Sequence, residues 1–133
     1  MTSKVTYLGD LRTSSIHLQS GDEIISDAPV DNKGRGEAFS PTDTVANALA
    51  SCMMTIMGIK ACEMDLDLTN SVASVNKIMN LEPRRIGVIE IEFEMNGVAD
   101  QKGKTILERA AMTCPVFLSL NTDIEKRITF HWK

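Results

Sequence analysis

Apolar and polar residues alternate near both ends of this chain. In the middle they give way to a long run without charge. Lys4-Val5-Thr6-Tyr7-Leu8 is strand-like, and Ser14, Ile16 and Leu18 share one face of a second strand. Gly21-Asp22 predicts a tight turn into a third, Glu23-Ile24-Ile25-Ser26-Asp27. Residues 28–38 are polar and contain glycine. Their Gly34-Arg35-Gly36 lacks the strand-turn-helix surroundings of a phosphate loop and reads as a flexible turn.

Ser40-Pro41-Thr42-Asp43 predicts a helix start. Serine caps, proline suits the first helical position, and Asp43 stands three residues after the cap. The helix is expected to reach about residue 63. Beyond it, residues 68–79 read as a strand, and Glu82-Pro83 turns the chain. Residues 89–95 alternate most cleanly, with Ile89, Ile91, Phe93 and Met95 on one face and Glu90, Glu92 and Glu94 on the other. Those glutamates read as a solvated sheet face. Residues 101–113 predict a second helix, stopped by Pro115. A last strand over 127–132 aligns Ile128, Phe130 and Trp132. The order of strands, long helix, strands, helix and strand predicts an α+β fold with antiparallel sheets packed on a long buried central helix.

That helix carries no charge between Asp43 and Lys60. Val45, Leu49, Met53, Ile56, Met57 and Ile59 spread around its axis, so it lacks the polar face of an ordinary surface helix. A helix of this kind is buried on nearly all sides. Two copies that bury their helices together achieve this, which predicts an obligate homodimer.

A chain of 133 residues fits a single domain over residues 1–133. Its formal net charge of −4, with acids and bases intermixed, argues against a general nucleic-acid binder. The N-terminus shows no apolar signal region. The uncharged run, interrupted by Asn47, Ser51, Thr55 and Gly58, reads as too short and broken for a membrane span. The expected location is the cytoplasm, where Cys52, Cys62 and Cys114 are thiols at rest. There is no CxxC, and His17 and His131 lack ligand-like spacing, so no zinc site is expected.

Cys52 lies within the apolar helix. A buried cysteine is ordinarily a small hydrophobe, and burial raises a thiol's pKa. A reactive Cys52 therefore needs a cation from elsewhere, with Arg12, Arg35, Arg84, Arg85 and Arg109 as candidates. Cys114 is expected at the C-terminal end of the second helix, where the dipole disfavours a thiolate. That suits a thiol that attacks an already oxidised partner. Cys62, ten residues beyond Cys52, points to another side of the helix and reads as structural.

"SPTDTVANALASCMMTIM", followed about sixty residues later by "AAMTCPVFLSL", resembles the OsmC/Ohr family of thiol-dependent peroxidases. The resemblance spans most of the chain. It implies an OsmC-like intertwined homodimer in which N-terminal strands pack with those of the partner. It implies Cys52 as the thiol that reduces organic hydroperoxides and Cys114 as the thiol that closes a disulfide with it. A lipoyl-type dithiol would reopen that bond, with no cofactor or metal needed and no nucleic acid or membrane as partner. The family's arginine corresponds best to Arg12. The position of its glutamate holds Thr42, with Asp43 one residue later, about 100° around the helix. Asp43 is thus a candidate site residue whose capping role is the competing explanation. The alternative is a non-enzymatic OsmC-like dimer that binds a small apolar or thiol-reactive ligand in an interface pocket.

Overall fold

The structure, a computed structural model, describes all residues from Met1 to Lys133 and divides into two compact units, Met1–Val45 and Ala46–Lys133. In the first unit, β1 (Ser3–Gly9), β2 (Arg12–His17) and β3 (Glu23–Asp27) form an antiparallel sheet in that order. The β1–β2 turn rests on Asp10 and Leu11, both at positive φ, as a primed two-residue hairpin requires. The loop after β3 contains one 3-10 turn, Val30–Asn32, and is strapped to the sheet by Asp27 N–H to Phe39 O (3.2 Å) and Ala28 N–H to Leu11 O (3.0 Å). One face of this sheet carries Val5, Tyr7, Ser15, Ile24 and Ser26 and no charge; Val5 and Tyr7 are each 64 % exposed.

Helix α1 spans Pro41–Glu63, as the cap pattern predicts. Ser40 N–H donates to Asp43 Oδ2 and Asp43 N–H to Ser40 Oγ, both at 3.0 Å, a reciprocal capping box that satisfies two otherwise orphaned donors. In the second unit α1 buries the stripe Ala46, Leu49, Ala50, Met53, Met57 and Ala61. The rest of its surface is half-buried or exposed in the single chain, with Ile59 (56 %) and Val45 (38 %) among the exposed residues. The single chain thus buries this helix on one side, where burial on nearly all sides was expected. At 23 residues, with an 18-residue window of mean hydropathy 1.4, α1 is by length and composition long and apolar enough to cross a bilayer, contrary to the reading of the run as too short. Its packed stripe is what marks a core helix.

Strand β4 runs Val72–Leu81 and not from residue 68. Residues 67–71 are held in turns, with Asp67 Oδ1 accepting from the N–H and the hydroxyl of Thr69, and with Asn70 at φ 69°. Strand β5, Arg84–Met95, starts earlier than its alternation predicts because its first residues pair with the end of β4. Strand β6, Glu125–Trp132, lies parallel to β5, so the expectation of purely antiparallel sheets is corrected: the second sheet is mixed. The physical reason is the connection. Helices α2 (Gln101–Ala111) and α3 (Pro115–Ser119) form a crossover, which returns the chain in the same direction, whereas a hairpin would reverse it. The α+β fold class stands.

The core of the second unit joins α1, β5 and the helical crossover. Leu49, Met53 and Met57 meet Ile89, Ile91, Phe93, Met95, Ala111 and Cys114. Phe93 stacks on its register partner Phe130, with ring centroids 5.0 Å apart. Glu90 faces outward against Asn76 and Arg127, as its alternation predicts.

Candidate active site

Two of the three cysteines come together. Cys52, on α1, is half-buried and packs against the core cluster that contains Cys114, which is fully buried. All three cysteines are free thiols. Cys52 lies near enough to Cys114 to help push that thiol's pKa up. Arrival from two distant stretches at one spot follows from the fold: α1 lies on the β4–β5–β6 sheet, and the crossover carries Cys114 back onto the same core.

The local setting of Cys114 differs from the sequence expectation. Helix α2 ends at Ala111, and Pro115 begins α3 where it was expected only to stop α2. Cys114 is thus the N-cap of α3, not the end of α2, and its Sγ accepts the Phe117 N–H at 3.3 Å. That bond favours the thiolate, opposite in sign to the predicted dipole. Burial outweighs it. Burial first, and the neighbouring Cys52 in addition, push the Cys114 thiol above the ordinary value of 9.0. Cys114 therefore stays protonated at neutral pH, through desolvation and proximity to a second sulfur.

Arg12 and Asp43 belong to the first unit. Asp43 is bonded into the capping box, and the Thr42 hydroxyl lies 3.2 Å from that of Ser40. Arg12 forms a fork with Asp27, Nε to Oδ1 at 2.8 Å and Nη2 to Oδ2 at 2.9 Å, and a further bond from Nη2 to Glu37 Oε2 at 3.2 Å. Asp27 is 1 % exposed, and the Arg12 guanidinium holds its carboxyl below the ordinary 3.8. Sequence reasoning had not linked Asp27 to Arg12. The signal was present: a hairpin that sets Ser14 opposite Ile25 sets Arg12 opposite Asp27.

Three of the other candidate cations have ordinary surroundings. Arg35 pairs with Asp10 at 3.3 Å and Arg85 with Asp123 at 3.5 Å, while Arg109 is exposed on α2. His17 Nδ1 lies 2.6 Å from Ser20 Oγ in the β2–β3 connection. Cys62 is exposed and lines a concavity of about 540 Å³ together with Met54, Ile59, Leu66 and Leu68. No group of three or more His, Cys, Asp or Glu side chains gathers in a geometry that could hold a metal ion.

Comparison with known proteins covers both units. The sequence model described as OsmC-like protein matches residues 34–129. A solved structure from Psychrobacter arcticus 273-4, of a candidate osmotic stress induced and detoxification response protein, is similar at 53 % identity and a TM-score of 0.95, over 98 % of this chain and 96 % of that one. Two more distant structures share the fold. The organic hydroperoxide resistance protein OsmC of Legionella pneumophila is 13 % identical with a TM-score of 0.72, over 98 % of this chain and 96 % of that one. A candidate organic hydroperoxide resistance protein of Vibrio cholerae, with captopril in one active site, is 16 % identical with a TM-score of 0.72, over 98 % and 91 %. No curated protein matches this chain.

Proposed function

The chain belongs to the OsmC-like protein family, and on that premise we propose that it reduces organic hydroperoxides through Cys52 and Cys114, as a homodimer in a reducing compartment such as the cytoplasm. The observation that carries this reading is the proximity of those two cysteines at one core cluster. The hydroperoxide resistance of two fold relatives points the same way. The outer surface of α1 between Asp43 and Lys60, which has no charged residue, and the sheet face of the first unit, which has no Asp, Glu, Lys or Arg, favour a second copy as their cover.

The chemistry balances as follows. The Cys52 thiolate attacks the distal oxygen of ROOH. The O–O bond breaks as an S–O bond forms, the alkoxide takes a proton and leaves as ROH, and Cys52 is oxidised by two electrons to a sulfenic acid. Cys114, protonated and waiting, then gives up its proton and attacks the Cys52 sulfur. An S–S bond forms and water departs. A lipoyl-type dithiol returns two electrons, becoming a disulfide itself and restoring both thiols. Arg12 is the candidate for holding Cys52 as the thiolate. The apolar side chains around Cys52, Met53 and Ile56 among them, suit an organic substituent better than hydrogen peroxide.

The deciding experiment adds one equivalent of cumene hydroperoxide to the reduced protein and maps disulfides by mass spectrometry. The expected product is a Cys52–Cys114 bond, formed faster than with hydrogen peroxide. Thiols that stay free with both oxidants would replace this reading by that of a non-enzymatic dimer binding an apolar or thiol-reactive ligand.

A further inference from the structure

One row of β6 consists of Lys126, Ile128, Phe130 and Trp132, all half-buried, while Glu125, Arg127, Thr129 and His131 on the other row are exposed. Lys126 is the one charge in the half-buried row. Its register partner on β5 is Ile89, which is fully buried. A charge partly removed from water in apolar company costs free energy unless it finds partners. This ammonium finds two, one in α3 and one just beyond it. Nζ lies 5.1 Å from the centre of the Phe117 ring and donates to Asn121 O at 3.3 Å.

Helix α3 needs such a hold, because five residues are too few to be stable as a helix without outside contacts. Val116, Phe117 and Leu120 pack against the core, but apolar burial is non-directional. Phe117 supplies the directional links. Its ring lies against the Lys126 ammonium, and its N–H is the one that Cys114 Sγ accepts at 3.3 Å.

We propose that Lys126 is a positioning residue for the second thiol: through the ring and the amide of Phe117 it fixes the direction in which Cys114 Sγ meets the oxidised Cys52. A disulfide closes only within a narrow geometry. A sulfur whose supporting turn wanders reaches that geometry less often. The inference rests on the reading of Cys114 as the thiol that closes a disulfide with Cys52. In that step Cys114 loses its proton, an S–S bond replaces the S–O bond of the Cys52 sulfenic acid, and water leaves.

Timing the two steps separately tests this. Reduced protein is mixed with tert-butyl hydroperoxide and quenched at intervals with dimedone, which traps the sulfenic acid. Mass spectrometry then follows that adduct and the Cys52–Cys114 disulfide. Lys126→Met keeps most of the stem and removes the charge. It is expected to slow conversion of sulfenic acid to disulfide about fivefold, the scale of one cation–π contact, and to leave Cys52 oxidation within about twofold of the parent. Lys126→Arg, which also stacks on aromatic faces, is expected to restore closure. Phe117→Leu should slow closure as Lys126→Met does, and the double variant should be no slower than the slower single one, because both remove the same link. Closure at the parental rate in Lys126→Met, equal slowing of both steps, closure in Lys126→Arg as slow as in Lys126→Met, or slowing that adds in the double variant overturns the proposal. A purely structural role would lower the melting temperature and leave the ratio of the two rates unchanged. If Lys126→Met does not fold, the same ratio measured in Phe117→Leu decides. A parent that forms no Cys52–Cys114 disulfide removes the premise, and the proposal falls with it; a parent that forms the bond beside an unaffected Lys126→Met removes the proposal alone.

Discussion

The two units are stabilised in different ways. Residues 46–133 are held by an interlocked apolar core in which Leu49, Met53, Ile89, Ile91, Phe93 and Met95 are all fully buried. Residues 1–45 keep few apolar side chains inside, with Val5, Tyr7 and Ile24 open to solvent, and are tied at named polar points: Arg12 to Asp27, Ser14 to Glu23, Thr13 to Ser26, Ser40 to Asp43. The difference sets the chemistry of each. In the second unit, desolvation governs the sulfur of Cys114. In the first, hydrogen-bond geometry governs the guanidinium of Arg12.

Four perturbations break or sharpen this contrast, taken from the largest effect down. Phe93→Ala removes a ring stacked in the apolar core and should cost about 3–5 kcal/mol, read as a lowered urea midpoint; a loss no greater than that of a surface change would mean the second unit is not core-limited. Asp27→Asn should act through pH. A carboxyl whose folded pKa is depressed stabilises the fold above its unfolded value and loses that effect as pH falls towards the folded one. The stability gap between wild type and Asp27→Asn should therefore be full near neutrality and close progressively below the ordinary 3.8. A gap independent of pH would show that charge is not what ties the first unit. Ser40→Ala removes one half of the cap of α1 and should cost about 1 kcal/mol, measured by thermal melting. Cys62→Ser is expected to change stability by less than about 0.5 kcal/mol. Iodoacetamide should label the exposed Cys62 well before the buried Cys114, as peptide mapping against time would record.

How much of this was legible beforehand depended on range. The cap at Ser40 and Asp43 was, because its signal and its bonds both lie within four residues. So was the inward face of β5, since period two needs no knowledge of a partner. The parallel placement of β6 was not, because strand direction is decided by the crossover geometry of α2 and α3 and not by the alternation of Ile128, Phe130 and Trp132. For Cys114, "TCP" identifies a helix boundary but does not say whether one helix ends or the next begins there. The expected outcome, a protonated thiol, holds for a different cause: solvent exclusion overriding a local dipole of the opposite sign. The Arg12–Asp27 fork was within reach once strand pairing was set, but opposition across a hairpin gives no measure of burial, and burial is what separates Asp27 from Glu37 as an anchor.

The sulfur of Cys114 is also a peg. The first turn of α3 hangs from it through the Phe117 amide, and that helix is only five residues long. Whatever draws this atom toward a new bond must pull it from the amide it supports, so a two-electron event at a single atom would be transmitted as slack in a short segment whose Leu118 already faces the solvent.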